Sequence, residues 1–229
     1  MGNVLNKEMI EEALKTDIFG GEIYAFNTID STNRFAKKLA KAGKPEGTLI
    51  YSEEQTHGQG RWGRSWDSPR GKGLWFSLIL RPQKHASVPL LSLLGAVSLA
   101  QIVRQKFNFS PQIKQPNDLL FNGLKLAGIL VETSIGQNSV AYAVIGIGLN
   151  VNQERSDFAP PLKDKAISLR MAVNHVVDRL DLLADLLVQL ENNYRLFTSQ
   201  DFDFIFRESG LSGTNHIQDL SEVYHAVGG

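Results

Sequence analysis

The chain contains no cysteine. Disulfide bonds and thiolate chemistry are therefore excluded, and this absence is typical of proteins in reducing compartments. The sequence also lacks an uninterrupted apolar run of about 18 residues, the length that a membrane-spanning helix needs. Its first residues do not form the apolar segment of a secretory signal. We therefore expect a cytoplasmic protein without a membrane partner.

The sequence has no excess of charge of either sign, with 24 Lys and Arg residues against 24 Asp and Glu residues. A basic excess would be the electrostatic sign of a protein that binds DNA or an anionic membrane. The 229 residues suffice for one compact domain with a small appendage. We therefore expect no DNA partner.

Helical and strand patterns alternate along the chain without internal repeats. The predicted helices span residues 6–15, 31–42, 89–106 and 176–197, and the predicted strands span 22–29, 48–52, 74–80, the segment around Ile113, 124–133 and 140–149. Asn122-Gly123 before Leu124 predicts a tight hairpin, because both residues tolerate positive φ. The apolar stripe of the last helix indicates core or dimer packing. Together the elements predict an α+β fold in which helices back a mixed sheet.

The segment 55–66, Q-T-H-G-Q-G-R-W-G-R-S-W, combines glycine, arginine and tryptophan. Glycine lets the backbone adopt positive φ and approach a ligand closely. The planar guanidinium of arginine matches carboxylate or phosphate oxygens, and tryptophan provides an apolar cover. The combination favours a loop that closes over a small anionic ligand. An exposed glycine loop with incidental arginines remains the alternative at this point.

Known phosphate-binding motifs match this segment only in part. Residues 58–63 fit G-x-G-x-x-G, but a turn sequence follows where that motif requires a helix N-terminus. Arg64 stands where a Walker A loop has lysine. The His-Arg-Asp and Asp-Phe-Gly signatures of protein kinases are absent. A dinucleotide fold, a P-loop and a kinase are therefore disfavoured.

Three further segments have ordinary structural explanations when taken singly. They are I-K-Q-P-N-D-L at 113–119, K-L-A-G-I-L-V-E at 125–132 and I-G-I-G-L-N-V-N at 145–152. The first is typical of a strand that ends in a turn. The second predicts a buried strand in which Gly128 permits close approach of backbone. The third ends a buried strand in two amide side chains.

Taken together and in order, these segments resemble the motifs of the biotin protein ligases, which activate biotin with ATP and attach it to a lysine of a carrier protein. The family motifs G-R-G-R-x-G-R-x-W, K-W-P-N-D, K-L-A-G-I-L-V-E, G-I-G-x-N-V-N and S-T-N correspond to residues 58–66, 114–118, 125–132, 146–152 and 31–33. The resemblance covers about residues 22–155. It implies a largely antiparallel sheet in a class II synthetase-like catalytic domain.

The resemblance also implies which residues bind the two substrates. Those expected to bind biotin are Ser31, Thr32, Asn33, Gln55, Gln59, Gly60, Arg61, Lys114 and Gly128. Those expected to bind ATP or the adenylate are Arg64, Trp66, Lys114, Asn117 and Asn150. Helix capping is the alternative role for Ser31 and Thr32, and a strand-ending turn is the alternative for Asn150. His57 is expected to be solvated, and no zinc site is expected.

The implied chemistry joins two anions, the carboxylate of biotin and the α-phosphate of ATP, and therefore needs fixed cations. The resemblance implies that Lys114 bridges these two groups and that Arg61 neutralises charge, as the catalytic pair. It further implies Mg²⁺, held mainly by phosphate oxygens and without a dedicated protein site. The implied acceptor is the biotin carboxyl carrier domain of acetyl-CoA carboxylase or a related carboxylase.

The sequence departs from the family pattern in three places. Gln59 replaces a loop arginine, which we expect to weaken retention of the adenylate, and Gln115 replaces the tryptophan beside Lys114. The SH3-like domain that usually ends these ligases is expected to be absent or degenerate. We thus expect a catalytic domain at 1–200 and a short tail, a remnant of that domain, at 201–229. Because only about twenty residues precede the first predicted strand, we expect no N-terminal DNA-binding domain.

Two other functions fit the same resemblance. A lipoate or octanoate ligase shares the broader fold, and a biotin-binding homologue could have lost transfer activity. Oligomeric state is not specified by the sequence, and a homodimer remains open.

Overall fold

One seven-stranded mixed sheet organises the molecule. The structure is a computed structural model and describes residues 4–82, 90–135 and 140–210. The strands are β1 (Ile23–Phe26), β2 (Leu49–Ser52), β3 (Gly73–Leu80), β4 (Gln112–Lys114), β5 (Asp118–Phe121), β6 (Leu124–Ile135) and β7 (Val140–Asn150). Their order in the sheet is β1-β2-β3-β7-β6-β5-β4. β1 and β2 pair in parallel, and the other neighbours pair antiparallel. The predicted fold class is confirmed.

Helices cover the sheet on both faces. They are α1 (Lys7–Ala13), α2 (Thr32–Lys41), α3 (Leu90–Phe107), α4 (Leu169–Val173), α5 (Arg179–Thr198) and α6 (Asp203–Ser209). Successive strand residues point to opposite faces. Ile50, Ile79 and Val144 accordingly pack with α2, whereas their neighbours in the strands belong to the larger core with α3 and α5. The ligand-sized space described below lies on the α2 face.

Most predicted elements agree with the structure. Asn122 and Gly123 have φ of 50° and 76° in the hairpin between β5 and β6, as their residue types predicted. The helix predicted at 89–106 is α3, and Pro89 lies outside the described residues. The leucine stripe of the last long predicted helix is buried in the core. Sequence reasoning missed β5, because its four residues, D-L-L-F, show no alternation.

A buried ion pair anchors the base of the glycine loop. Arg179 Nη1 lies 3.0 Å from Glu53 Oε2, and both side chains are almost fully buried. The same guanidinium nitrogen donates to the Tyr51 hydroxyl at 3.0 Å, and burial raises the pKa of Tyr51. Gly71 N donates to the Glu53 carbonyl, which closes the loop at its base. Breaking a buried pair of this kind typically costs about 3–5 kcal/mol.

The segment beyond residue 200 begins as part of the core. Phe204, Ile205 and Phe206 of α6 are buried, and this helix packs against α3. Residues 211–229 lie outside the described residues, so the predicted boundary at residue 200 stays a prediction. Within the described residues, no helix is long and apolar enough to cross a membrane.

Candidate functional site

Three glycines form a floor for the site on the α2 face of the sheet. Gly128 and Gly148 lie opposite each other in β6 and β7, and Gly146 pairs with Ser77 of β3. A Cβ atom at Gly148 would lie 2.4 Å from Trp66 Nε1, and one at Gly146 would lie 1.8 Å from Asn33 Oδ1. The glycines therefore leave the space that the side chains of Trp66 and Asn33 occupy. A Cβ atom at Gly128 would meet the Trp66 ring at 3.1 Å, so its predicted close neighbour is a side chain rather than backbone.

The N-terminus of α2 forms one polar end of the site. Ser31 is the N-cap, and its Oγ accepts a hydrogen bond from Arg34 N. Gln55 Oε1 accepts from Thr32 N at 2.8 Å, and Gln55 Nε2 donates to Ser68 Oγ at 2.9 Å. Gln55 thus links the start of the helix to Ser68, on the other side of the glycine loop. The capping role predicted as an alternative for Ser31 is confirmed, and Ser31 also lines the cleft.

The glycine loop covers the floor as a short closed hairpin. Trp66 N donates to the Gly58 carbonyl at 2.9 Å, and Gly60 N donates to the Arg64 carbonyl at 2.7 Å. The tip is a 3₁₀ turn, Arg61–Gly63, in which Trp62 has φ of 59° and is 68 % exposed. Arg61 Nη1 donates to Asn117 Oδ1 at 3.1 Å, which ties the loop to the turn between β4 and β5.

A first cleft lies between the floor, α2 and the loop. The space between its walls is about 800 Å³ and is partly open to solvent. It is lined by the residues predicted to bind biotin except Lys114, namely Ser31, Thr32, Asn33, Gln55, Gln59, Gly60, Arg61 and Gly128, and also by Trp66, Asn117, Asp118 and Lys125. The structure therefore brings together residues that lie up to 97 positions apart in the sequence.

A second, larger cavity of about 1280 Å³ adjoins the first. Residues that line both cavities are Arg64, Ser65, Trp66, Asp118 and Lys125, and those that line only the second include Lys114, Asn150, Phe158 and Leu162. Four of the five residues predicted to bind ATP line the second cavity, and the fifth, Asn117, lines the first. Lys114 is exposed and lies on the second cavity alone.

Lys125, which the sequence analysis did not single out, lines both cavities, whereas Lys114 lines only the second. The Nζ of Lys125 lies 2.8 Å from Asp118 Oδ1 and 5.2 Å from the centre of a Trp66 ring. A break in strand pairing places it there. Leu119 pairs with Ala127 and Leu120 with Lys125, so that Leu126 is an extra residue in β6. Leu126 and Ala127 both lie in the large core, although they are neighbours in the strand. Lys125 therefore lies on the same face of the sheet as Gly128.

The remaining predicted residues have defined structural roles. Asn150 is buried, and its Nδ2 donates to the carbonyls of Lys125 and Ile167. Its amide therefore joins three segments at the rim of the second cavity. Gln115 Nε2 donates to the carbonyl of Ser209 at 3.4 Å, so the residue that replaces the family tryptophan contacts the end of α6. His57 is exposed, as predicted. The described residues contain no group of three His, Asp or Glu side chains that could hold a metal ion.

Comparison with known proteins relates the chain to a family of ligases. The model of the biotin/lipoate A/B protein ligase family matches residues 25–150. The chain is 39 % identical over 199 residues to the bifunctional ligase/repressor BirA of Bacillus subtilis, covering 86 % of this chain and 61 % of BirA. It is 36 % identical over 162 residues to the biotin--[acetyl-CoA-carboxylase] ligase of Paracoccus denitrificans, covering 68 % and 67 % of the two chains.

Solved structures give the same relationship. The biotin protein ligase from Aquifex aeolicus in complex with biotin and ATP superposes with a TM-score of 0.71 and 27 % identity, covering 82 % of this chain and 77 % of the other. The biotin protein ligase of Leishmania major in complex with biotinyl-5-AMP superposes with a TM-score of 0.62 at 23 % identity, covering 81 % of each chain, and shows the shared fold. The chain spans about three fifths of the length of the BirA proteins that it matches.

Proposed function

Because the chain belongs to the biotin/lipoate A/B protein ligase family, we propose that it is an ATP-dependent biotin protein ligase. In this proposal it joins biotin to ATP, giving biotinyl-5'-AMP and pyrophosphate, and then transfers biotin to a lysine of a biotin carboxyl carrier protein. The observation that carries the proposal is the junction of two cavities at Lys125, Arg64 and Trp66. One cavity ends in uncharged hydrogen-bonding groups, and the other is larger and partly apolar.

The first step requires two anions to approach within bonding distance. The carboxylate of biotin attacks the α-phosphorus of ATP, the bond to the leaving pyrophosphate breaks, and negative charge grows on the phosphoryl oxygens. Lys125 stands where the cavities meet, and its ion pair with Asp118 fixes the position of its ammonium group. Arg61 and Arg64 add guanidinium groups from the loop. Fixed cations of this kind stabilise the transition state without reorganisation.

Mg²⁺ accompanies ATP in this proposal. Asp118 and Asp164 line the second cavity and offer the carboxylate oxygens that this ion prefers. Phosphate oxygens of the nucleotide would supply most other ligands. When bound, the ion reduces the negative charge of the phosphates that the attacking carboxylate approaches.

The second step needs proximity rather than further charge. The amine of the carrier lysine attacks the acyl carbonyl of biotinyl-5'-AMP, and AMP leaves as its bond to the acyl carbon breaks.

We infer a cytoplasmic location from the absence of cysteine. We also infer a catalytic unit at 1–200 with a short segment at 201–229, and no DNA partner. The carrier in this proposal is a carboxyl carrier domain of a carboxylase.

The test is exchange of labelled pyrophosphate into ATP. We expect exchange that depends on biotin and does not occur with lipoate, because the first cleft ends in polar groups suited to a ureido ring. Exchange with lipoate alone would indicate a lipoate-type ligase. Tight binding of biotin without any exchange would indicate a binding protein that has lost transfer activity.

The Gln59→Arg variant should release biotinyl-5'-AMP about tenfold more slowly, because a charge-assisted hydrogen bond to the adenylate adds roughly 1.5 kcal/mol. Gln59 is half-buried and lines the first cleft. Release is measured after a single turnover without carrier. Gln59→Met is the matched neutral control and should not slow release. Equal release rates for the arginine variant and the parent would refute the expectation.

A further inference from the structure

A hydrogen-bonded chain runs from an ion pair at the edge of α2 to the polar end of the first cleft. Glu132 Oε1 accepts from Lys37 Nζ at 2.5 Å, and Glu132 Oε2 accepts from Asn33 Nδ2 at 3.0 Å. Asn33 Oδ1 accepts from Ser77 Oγ at 2.6 Å. The Ser77 and Thr32 hydroxyl oxygens lie 2.8 Å apart, and Thr32 Oγ1 lies 3.1 Å from Gln55 Oε1.

The Glu132 carboxylate determines which group donates and which accepts in each bond of this network. A carboxylate only accepts, so the Asn33 amide must turn its Nδ2 toward Glu132. The Leu130 carbonyl, 3.3 Å from the same nitrogen, favours the same orientation. Asn33 Oδ1 therefore faces Ser77, and the single hydroxyl proton of Ser77 is used there.

Thr32 then has no proton left for a ligand. Its two neighbours in the chain are Ser77 Oγ, whose proton is already used, and Gln55 Oε1, which only accepts. Whichever of the two receives the Thr32 proton, that proton stays inside the network. The Thr32 hydroxyl thus offers only lone pairs to the cleft that Thr32 lines.

Gln55 is oriented by the same logic. Its Oε1 accepts from Thr32 N, so its Nε2 faces Ser68 and keeps a second hydrogen. The end of the cleft therefore combines an acceptor, Thr32 Oγ1, with a donor, Gln55 Nε2. A ligand that carries N–H next to C=O is complementary to this pair.

We propose that Glu132 is a positioning residue that sets the hydrogen-bond polarity of the binding cleft. Acting through Asn33 and Ser77, it makes the Thr32 hydroxyl an obligatory acceptor, and the cleft thereby selects ligands with a ureido N–H. Glu132 itself need not touch the ligand. The inference rests on the proposed function for the identity of the ligand as biotin.

The test compares biotin with a cyclic carbamate analogue. In this analogue a ring oxygen replaces the ureido N–H that donates to Thr32 in the proposal. Binding to the whole chain is measured by calorimetry. The parent should bind biotin at least about 100-fold more tightly than the analogue, because the ring oxygen of the analogue and the Thr32 hydroxyl would both be acceptors. In Glu132→Gln the new amide can turn either its oxygen or its nitrogen toward Asn33. The donors and acceptors of the hydrogen-bond network can then exchange roles. The preference for biotin should then fall at least tenfold.

Two further variants isolate the polarity from other effects. Lys37→Met removes the cation from the same carboxylate but keeps the Glu132–Asn33 bond, and it should leave the preference unchanged. Thr32→Val removes the acceptor and should abolish most of the preference. In the Thr32→Val background, Glu132→Gln should then have no further effect on the preference, because coupled residues are not additive.

The outcomes are distinguishable from failure of the proposed function. A parent that binds neither ligand contradicts the proposed function. A parent that prefers biotin, with the same preference in Glu132→Gln, overturns the role of Glu132. Equal weakening of both ligands in that variant also overturns it, because a merely structural role would act on both. If Glu132→Gln does not fold, an unchanged preference in Thr32→Val overturns the acceptor assignment by itself.

Discussion

Lys125→Met should slow biotin-dependent pyrophosphate exchange by a factor of about 100 to 1,000, which is the usual effect of losing one preorganised group that stabilises charge in the transition state. The methionine side chain keeps the length of lysine without its charge. The expected loss is in the maximal rate rather than only in the affinity for biotin, because the ammonium group acts on charge that grows during the reaction.

Lys114→Met is the matched control, since it removes the same charge from the second cavity alone. Lys114 is exposed and does not line the first cleft, so its loss should raise the KM for ATP a few-fold and leave the KM for biotin unchanged. Exchange rates over a range of both substrates measure the two effects. A large loss of maximal rate in Lys114→Met together with near-normal Lys125→Met would return the bridging role to Lys114.

The choice between these two lysines shows what a sequence can and cannot specify. Both stand in motifs that resemble those of the family, and both lie close to Asp118, which pairs with Lys114 across strands and with Lys125 through its carboxylate. Lys125 lies on the side of the first cleft because of the extra residue, Leu126, in the pairing of β6 with β5. A shift of one residue in a strand moves a side chain to the other face of the sheet. The local sequence does not predict that shift.

Features that depend on local chemistry were predictable. Ser31 has a capping oxygen directly before a helical segment, and Asn122-Gly123 has the backbone freedom that a tight hairpin requires. Each of these follows from a few neighbouring residues. The apolar segment at 74–80 predicted a strand in the same way, and the structure shows it as β3, buried throughout.

Features that depend on distant partners were not predictable. Arg61 ties the loop to Asn117, and Asn150 donates to carbonyls of two other segments. The contact between Gln115 and the carbonyl of Ser209 joins residues 94 positions apart. These contacts form only after the sheet has set the positions of its loops, so their partners could not be inferred from spacing.

Gly148→Ala should reduce exchange at least 100-fold, the scale that enzymes show when reacting groups are displaced by about 1 Å. The added Cβ atom would lie 2.4 Å from Trp66 Nε1 and 2.5 Å from Cε2, distances that non-bonded atoms do not tolerate. The indole is a rigid ring, packed edge-on against Trp75 and beneath the ammonium group of Lys125. The ring can relieve the clash only by moving into the cavities. Lys125 would then lose its contact with the Trp66 ring.

The control for this variant is Gly21→Ala, at which the added Cβ atom makes an ordinary contact of 3.5 Å with the Ile18 carbonyl. Thermal unfolding of both variants separates loss of activity from loss of the fold, since overpacking costs typically about 1–3 kcal/mol of stability. A double-mutant cycle then locates the effect. If Gly148→Ala acts by displacing Trp66, it should cost little additional activity in a Trp66→Ala background, because the clashing ring is already absent. A full additional loss in that background would mean that the floor of the site contacts the substrates directly, and that the glycines of β6 and β7 serve the ligand rather than the tryptophan above them.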